Sequence, residues 1–257
     1  MSLQGRVALV TGAGRGVGRG IALALAADGA DVAVNYRREE DSALEVVAAI
    51  ERLGRRARAF QASVDDFEQD REMVAAIEAT LGPVAILINN AGIASRGQSV
   101  ADTDPAELAR VLAIHAFAPH YLAKLVLPKM RTLGRGDIVM ISSVATRSLG
   151  AFGAPYNMGK CAMEALAFTL AKEERPFGVR VNIVAPGLVE TEMGRRLMKA
   201  TAGVKDLREL DEVMPFGHVC QPEDVANVVR FFVSPHNSYL TGERVYCDGG
   251  GQQSLKV

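Results

Sequence analysis

"RVALVTGAGRGVG", Arg6 to Gly18, decides the fold. A short apolar, β-branched run ends in a glycine cluster, and a helical pattern starts at once. Gly12 allows the tight turn, Gly16 lets the backbone approach a phosphate, and Gly18 lets helix and strand pack closely. The helix N-terminus then offers unpaired N–H groups and partial positive charge to a pyrophosphate. Gly12, Arg15, Gly16, Val17 and Gly18 are therefore expected to hold a dinucleotide. Gly12 and Gly16 are spaced G-x-x-x-G, and the loop does not follow G-x-G-x-x-G. Turns use glycine anyway, so the strand–turn–helix context carries the expectation more than the glycines do.

The same alternation continues outward from this unit. Strands are predicted at 6–11, 31–36, 56–61, 84–89, 137–142, 179–185 and 243–248, with helices near 16–29, 40–53, 66–81, 105–133, 155–175 and 222–233. The strand runs scarcely alternate in polarity, as strands covered on both faces do. A βαβ order throughout predicts an α/β fold: a doubly wound parallel sheet of about seven strands, Rossmann-type, with helices on both faces. No linker or composition break divides 1–257, which predicts one domain. The stretch 190–216, "ETEMGRRLMKATAGVKDLRELDEVMPF", is the least regular. Long irregular insertions are often lids, so it is expected to cover substrate; two surface helices without a ligand role are the alternative.

Composition narrows the classes. A net charge of −1 gives no basic field for nucleic acid. No apolar run is expected to approach the roughly 18 residues of a membrane span. The N-terminal "MSLQGRVALVTG" enters a strand with no secretory pattern, and three scattered cysteines predict reduced thiols, so a cytoplasmic location is expected. His115, His120, His218 and His236 lack metal-ligand spacing, so no catalytic metal is expected.

The end of the second strand bears on the nucleotide. Where an acid would accept a ribose 2′-hydroxyl, this chain has "NYRREE": Tyr36, then Arg37 and Arg38. Guanidinium groups grip phosphate through forked, charge-assisted hydrogen bonds. With Arg15 aimed at the same corner, Arg37 predicts NADP(H) over NAD(H). The alternative is that Arg37 and Arg38 pair with Glu39, Glu40 and Asp41.

"PYNMGK", Pro155 to Lys160, bears on the chemistry. Pro155 suits a helix N1 position, and Tyr156 and Lys160 at i and i+4 share one face. A cation about 4 Å from a phenol, at an effective dielectric of about 20, contributes about 4 kcal/mol. That is worth at most roughly three pKa units, enough to make tyrosine a usable acid near neutrality.

Taken in order, "TGAGRGVG" at 11–18, "NNAG" at 89–92, "ISS" at 141–143, "YNMGK" at 156–160, "NIVAPGLVET" at 182–191 and "CDGG" at 247–250 resemble the short-chain dehydrogenase/reductase family over nearly the whole chain. The C-terminal part is similar to bacterial 3-oxoacyl-ACP reductases and glucose dehydrogenase-like members. The resemblance implies a nicotinamide cofactor, carbonyl/alcohol chemistry, a small-molecule substrate and a homotetramer or dimer. It implies that Ser143 binds the substrate oxygen, Tyr156 transfers its proton, and Lys160 holds the ribose and lowers the phenol's pKa. It places Ser63 and Val64 at the adenine, Asn90 at the adjoining ribose, and Val189 and Thr191 at the carboxamide. It also places Arg96, Arg147, Phe152, Met193, Arg195 and Arg196 around the substrate, where arginines suit a carboxylate, a phosphate or an acyl carrier; solvated loop charges are the alternative.

Three positions depart from the family pattern: Ser63 stands for an acid or amide, Gly159 for serine or alanine, and His115 for asparagine. Pro119, four residues on, has no N–H to give the His115 carbonyl, which would free that carbonyl for a water linked to Lys160. The imidazole either passes protons or simply fills the asparagine's volume. The function expected is NADPH-dependent reduction of a ketone, with a 3-oxoacyl thioester among the candidate substrates. The alternatives are an alcohol or sugar dehydrogenase working oxidatively, or a low-turnover nucleotide-binding scaffold or sensor.

Overall fold

The computed structural model describes residues 2–251. Seven strands form one sheet in the order β3-β2-β1-β4-β5-β6-β7: β1 (Val7–Val10), β2 (Asp31–Tyr36), β3 (Ala57–Gln61), β4 (Val84–Asn89), β5 (Gly136–Ile141), β6 (Val179–Pro186) and β7 (Arg244–Cys247). Every adjacent pair is parallel. Alternate residues feed two cores. Val7 and Leu9 join one with α3 (Phe67–Thr80), α5 (Ala118–Met130) and α7 (Ala154–Glu174). Ala8 and Val10 join the other with α1 (Gly16–Ala27), α2 (Glu40–Arg52) and α9 (Pro222–Val233). With both faces covered, apolar residues at every position are what the sheet requires.

The strand order reverses between β1 and β4, which opens a crevice at their carboxyl ends. Val10 stands beside both Val34 and Ile88, so the glycine loop, the Tyr36–Arg38 corner and Asn90 emerge at one edge of the sheet. The chain's chemistry is concentrated there.

Two expectations need correction. The helix begun at Pro105 runs to Met130 and is long and apolar enough to cross a membrane by length and composition. Half of its apolar stretch is buried in the protein, where it packs against the sheet, so core burial accounts for its character. The 190–216 region is more regular than the sequence suggested. It contains α8 (Glu192–Ala202), capped by the Thr191 hydroxyl, and 3-10 turns at Leu207–Val213 and Pro215–Gly217. Gly194 is the only buried residue of α8, so the helix lies on the surface beside the crevice. The remaining helices are α4 (Pro105–Leu112) and the single turn α6 (Ala145–Ser148).

Candidate active site

At the nucleotide end, Gly12 and Gly16 take positive φ values of 61° and 54°, conformations that a side chain resists. A Cβ on Gly18 would stand 2.4 Å from the Gly12 carbonyl oxygen, so only glycine lets α1 sit this close. No side chain caps α1, leaving the N–H groups of its first turn facing the crevice. This cradle fits a pyrophosphate. Asn35 braces it from below: its Oδ1 accepts from Gly12 N at 3.1 Å while its amide donates to the Ala62 carbonyl. Sequence reasoning passed over Asn35, although a polar residue inside an apolar strand was the visible signal.

Asn90, placed at the adjoining ribose by the resemblance, is anchored here to the glycine loop. Its side-chain amide donates to the Thr11 carbonyl at 2.8 Å, and the Thr11 hydroxyl accepts from the N–H groups of Asn90 and Ala91. Asn90 therefore ties the end of β4 to the glycine loop. The Ser63 hydroxyl donates to Asp65, and Val64 beside it is buried. Arg15 is held between Glu39 at 2.9 Å and Glu192 at 2.7 Å, so two carboxylates already offset its charge. Arg37 and Arg38 are exposed, and among the described residues neither forms an ion pair. The expected alternative pairing with Glu39, Glu40 and Asp41 is not formed among the described residues, and Glu39 goes to Arg15 instead.

At the chemical end, Ser143 follows β5 and Tyr156 lies in the first turn of α7 behind Pro155. The Lys160 ammonium is 5.8 Å from the centre of the Tyr156 ring and donates to the Ile141 carbonyl at 2.6 Å. The three side chains thus meet at the carboxyl end of β5. Their electrostatics differ from expectation. Burial pushes the Tyr156 phenol above its usual value, and the Ser143 hydroxyl pulls it back only in part. Burial brings Lys160 down to about 7, opposed by Glu164. In this arrangement desolvation outweighs the simple cation–phenol attraction drawn from the i, i+4 spacing.

Glu164, one turn after Lys160, was missed. It is buried and accepts from Ser142 at 2.6 Å, Thr146 at 2.9 Å and Arg244 at 2.5 Å. Its charge is therefore well compensated, as a buried carboxylate requires. The i, i+4 spacing from Lys160 was the available signal. Thr191 closes over the glycine loop: its methyl would lie 3.2 Å from a Cβ on Gly16. Val189 pairs with Cys220, whose sulfur is 3.9 Å from that of Cys247.

His115 is fully buried at a π-turn, Ala113–Phe117, between α4 and α5. With Pro119 lacking an N–H, the i→i+4 ladder cannot close at the His115 carbonyl, and a widened turn carries the helix past it. The imidazole packs edge-on to the Tyr156 ring, 5.2 Å between centres, and its Nε2 lies 2.8 Å from the Ile93 carbonyl. Burial, reinforced by Lys160, drives its pKa down to about 3. Of the two roles considered, the contacts favour packing: the ring is neutral near physiological pH and sits edge-on against Tyr156. The departure at Gly159 belongs to the same contact. A Cβ there would stand 2.8 Å from the His115 Cβ, so the glycine makes room for the histidine's helix.

Around the crevice, Arg96 meets Glu107, Arg147 meets Asp248, Arg195 meets Glu190 and Arg196 meets Glu192. Phe152 and Met193 are exposed there. Among the described residues, no group of three His, Cys, Asp or Glu side chains is placed to hold a metal.

Residues 12–252 match the family described as "Enoyl-(Acyl carrier protein) reductase". The chain is 34% identical to human dehydrogenase/reductase SDR family member 4 over 253 residues, spanning 98% of this chain and 90% of that protein. A putative short-chain alcohol dehydrogenase from Sinorhizobium meliloti superposes with a TM-score of 0.87 at 32% identity, covering 97% of each chain. The angucycline C-6 ketoreductase LanV, solved with bound NADP, gives 0.84 at 32% identity and 96% of each chain. Together with the crevice, its glycine cradle and the serine–tyrosine–lysine cluster that lines it, these matches place the chain in the short-chain dehydrogenase/reductase family of nicotinamide-dependent oxidoreductases.

Proposed function

We propose that the protein reduces a ketone to a secondary alcohol with NADPH. One observation carries this: Ser143, Tyr156 and Lys160 meet at the carboxyl end of β5, beside the cradle that fits a dinucleotide. Bound NADPH supplies two electrons as hydride to the carbonyl carbon. Ser143 fixes the carbonyl oxygen, and Tyr156 gives that oxygen its phenolic proton. The Tyr156 phenol carries its proton near neutrality, and because burial raises its pKa, the donor role needs the positive charge of Lys160 to favour the tyrosinate that forms. Lys160, buried with Glu164 one turn away, holds positive charge under the site where the tyrosinate forms.

The unpaired Arg37 and Arg38 support a 2′-phosphate at the far end of the nucleotide. The ketoreductase with bound NADP is a relative in which both halves of this proposal are named. The internal pairing of the crevice arginines favours a neutral ketone over an acyl-carrier partner. A homo-oligomer is also proposed, because edge strand β7, the neighbouring α9 and the loop between them leave Val245, Phe231 and Tyr239 exposed.

The test is loss of NADPH absorbance with a panel of ketones, 3-oxoacyl thioesters and ketoses. The proposal expects turnover of ketones with NADPH that Tyr156→Phe abolishes. Nucleotide binding without consumption across the panel would overturn it in favour of a sensor.

A further inference from the structure

Three non-glycine residues among those described adopt positive φ: Leu149 at 47°, Phe152 at 62° and Phe216 at 63°. Bulky side chains resist this region, which glycine enters freely. All three are also apolar and exposed, at 58%, 62% and 86%. Each position thus carries two costs of the same sign, and glycine would remove both. Strained residues of this kind cluster at ligand sites.

Their placement fits that pattern. Leu149 and Phe152 lie in the loop between Ser143 and Tyr156, and Phe216 lies in the turn after α8. Phe152 and Phe216 line the same crevice as Tyr156, and exposed Met193, Leu197 and Val213 line it too. The charged residues nearby are already satisfied: Arg96, Arg147, Arg195 and Arg196 each sit against a carboxylate. An anionic substrate would find no spare cation among them, and a polyhydroxylated one would face mainly carbon.

Resting on the ketone-reduction proposal above, we propose that this mouth is an apolar clamp for a fused-ring ketone. The carbonyl reaches Ser143 and Tyr156, while the ring system lies between the 149–152 loop and the 213–216 turn. Phenylalanine faces give large contact area to flat hydrocarbon surfaces.

The experiment compares cyclohexanone, 2-tetralone and 5α-androstan-3-one with acetoacetyl-N-acetylcysteamine and dihydroxyacetone. In parallel, 2-tetralone is titrated calorimetrically into the protein with NADP bound. Expected is a rise in kcat/KM of about tenfold or more from cyclohexanone to the fused-ring ketones as apolar area is buried. Phe152→Gly/Phe216→Gly should collapse that ratio and weaken 2-tetralone binding, while Tm stays level or rises because the strain is gone. A fall in Tm with the ratio unchanged would make these residues structural and overturn the clamp, as would preference for the thioester or dihydroxyacetone. If no ketone is reduced but 2-tetralone binds in a Phe152- and Phe216-dependent way, the clamp stands and ketone reduction falls. If 2-tetralone does not bind, the clamp falls.

Discussion

The two ends of the crevice treat charge in opposite ways. At the nucleotide end Arg37 and Arg38 stand free at the surface, while the loop beside them is built from glycines and backbone N–H groups. At the substrate end each arginine is tied to a carboxylate of the same chain, and the exposed residues are apolar. Free cations are available to a ligand; cations already paired, Arg15 at the nucleotide end among them, serve the fold first. Between the two ends lies a third regime, in which Lys160, Glu164 and His115 are buried and Tyr156 is half-buried, and desolvation is the largest influence on the proton affinities of Tyr156, Lys160 and His115.

The largest expected effect tests the middle. Tyr156→Phe removes the only proton that the proposed step uses, and should lower kcat with ketones by about a hundred- to ten-thousand-fold. NADPH affinity, measured by titration, should hardly change, because the glycine cradle and the arginine corner remain. A comparable loss of nucleotide binding would mean that the ends are not separable.

Next comes the nucleotide end. Arg37→Asp together with Arg38→Asp should cut the preference for NADPH over NADH by about ten- to a hundredfold, the worth of charge-assisted phosphate contacts. The ratio of kcat/KM values for the two cofactors reads it directly. Because neither guanidinium forms an ion pair among the described residues, Tm should move little. A large drop in Tm with no change in preference would return both arginines to a structural role.

The pH dependence tests how the buried charges share the site. Lys160, at about 7, is only partly charged near neutrality, and Glu164 holds that value up. Reductive kcat/KM should therefore fall as pH rises through about 7. In Glu164→Gln the same limb should move to lower pH, while the amide oxygen still accepts from Ser142 and Thr146. Stability follows the opposite sense. An unfolded lysine keeps its proton to about pH 10.4, whereas folded Lys160 releases it near 7, so stability rises with pH across that window. An unshifted limb in Glu164→Gln would show that another group controls the rate.

The fold was legible because βαβ alternation and a glycine loop are local patterns, and local patterns survive in one dimension. Tyr156 and Lys160 could be paired for the same reason, by helix periodicity, whereas Ser143 was placed only by the resemblance of the ordered motifs. What stayed hidden depends on depth or on distant pairing. The direction of the Tyr156 shift follows from burial that no i, i+4 rule reports. Arg15 was expected at the 2′-phosphate corner, but Glu192, far along the chain, meets it there. The departures at His115 and Gly159 looked independent until packing set one against the other.

The smallest effect tests the substrate end. Arg195 lies 3.6 Å from Glu190 and is about half exposed, so the pair is screened and contributes little to stability, about 0–1 kcal/mol. If such arginines serve the fold, Arg195→Gln should change kcat/KM for a neutral ketone by less than about threefold, in keeping with that weak coupling. The same variant should behave alike at low and high salt. A carboxylate or phosphate substrate reverses the expectation: it would compete with Glu190 for the guanidinium, losing the arginine would then raise KM with little change in kcat, and the loss would shrink as salt screens the attraction. A salt-dependent rise in KM would therefore erase the contrast between the two ends, whereas a flat response leaves Arg37 and Arg38 as the cations available to a ligand.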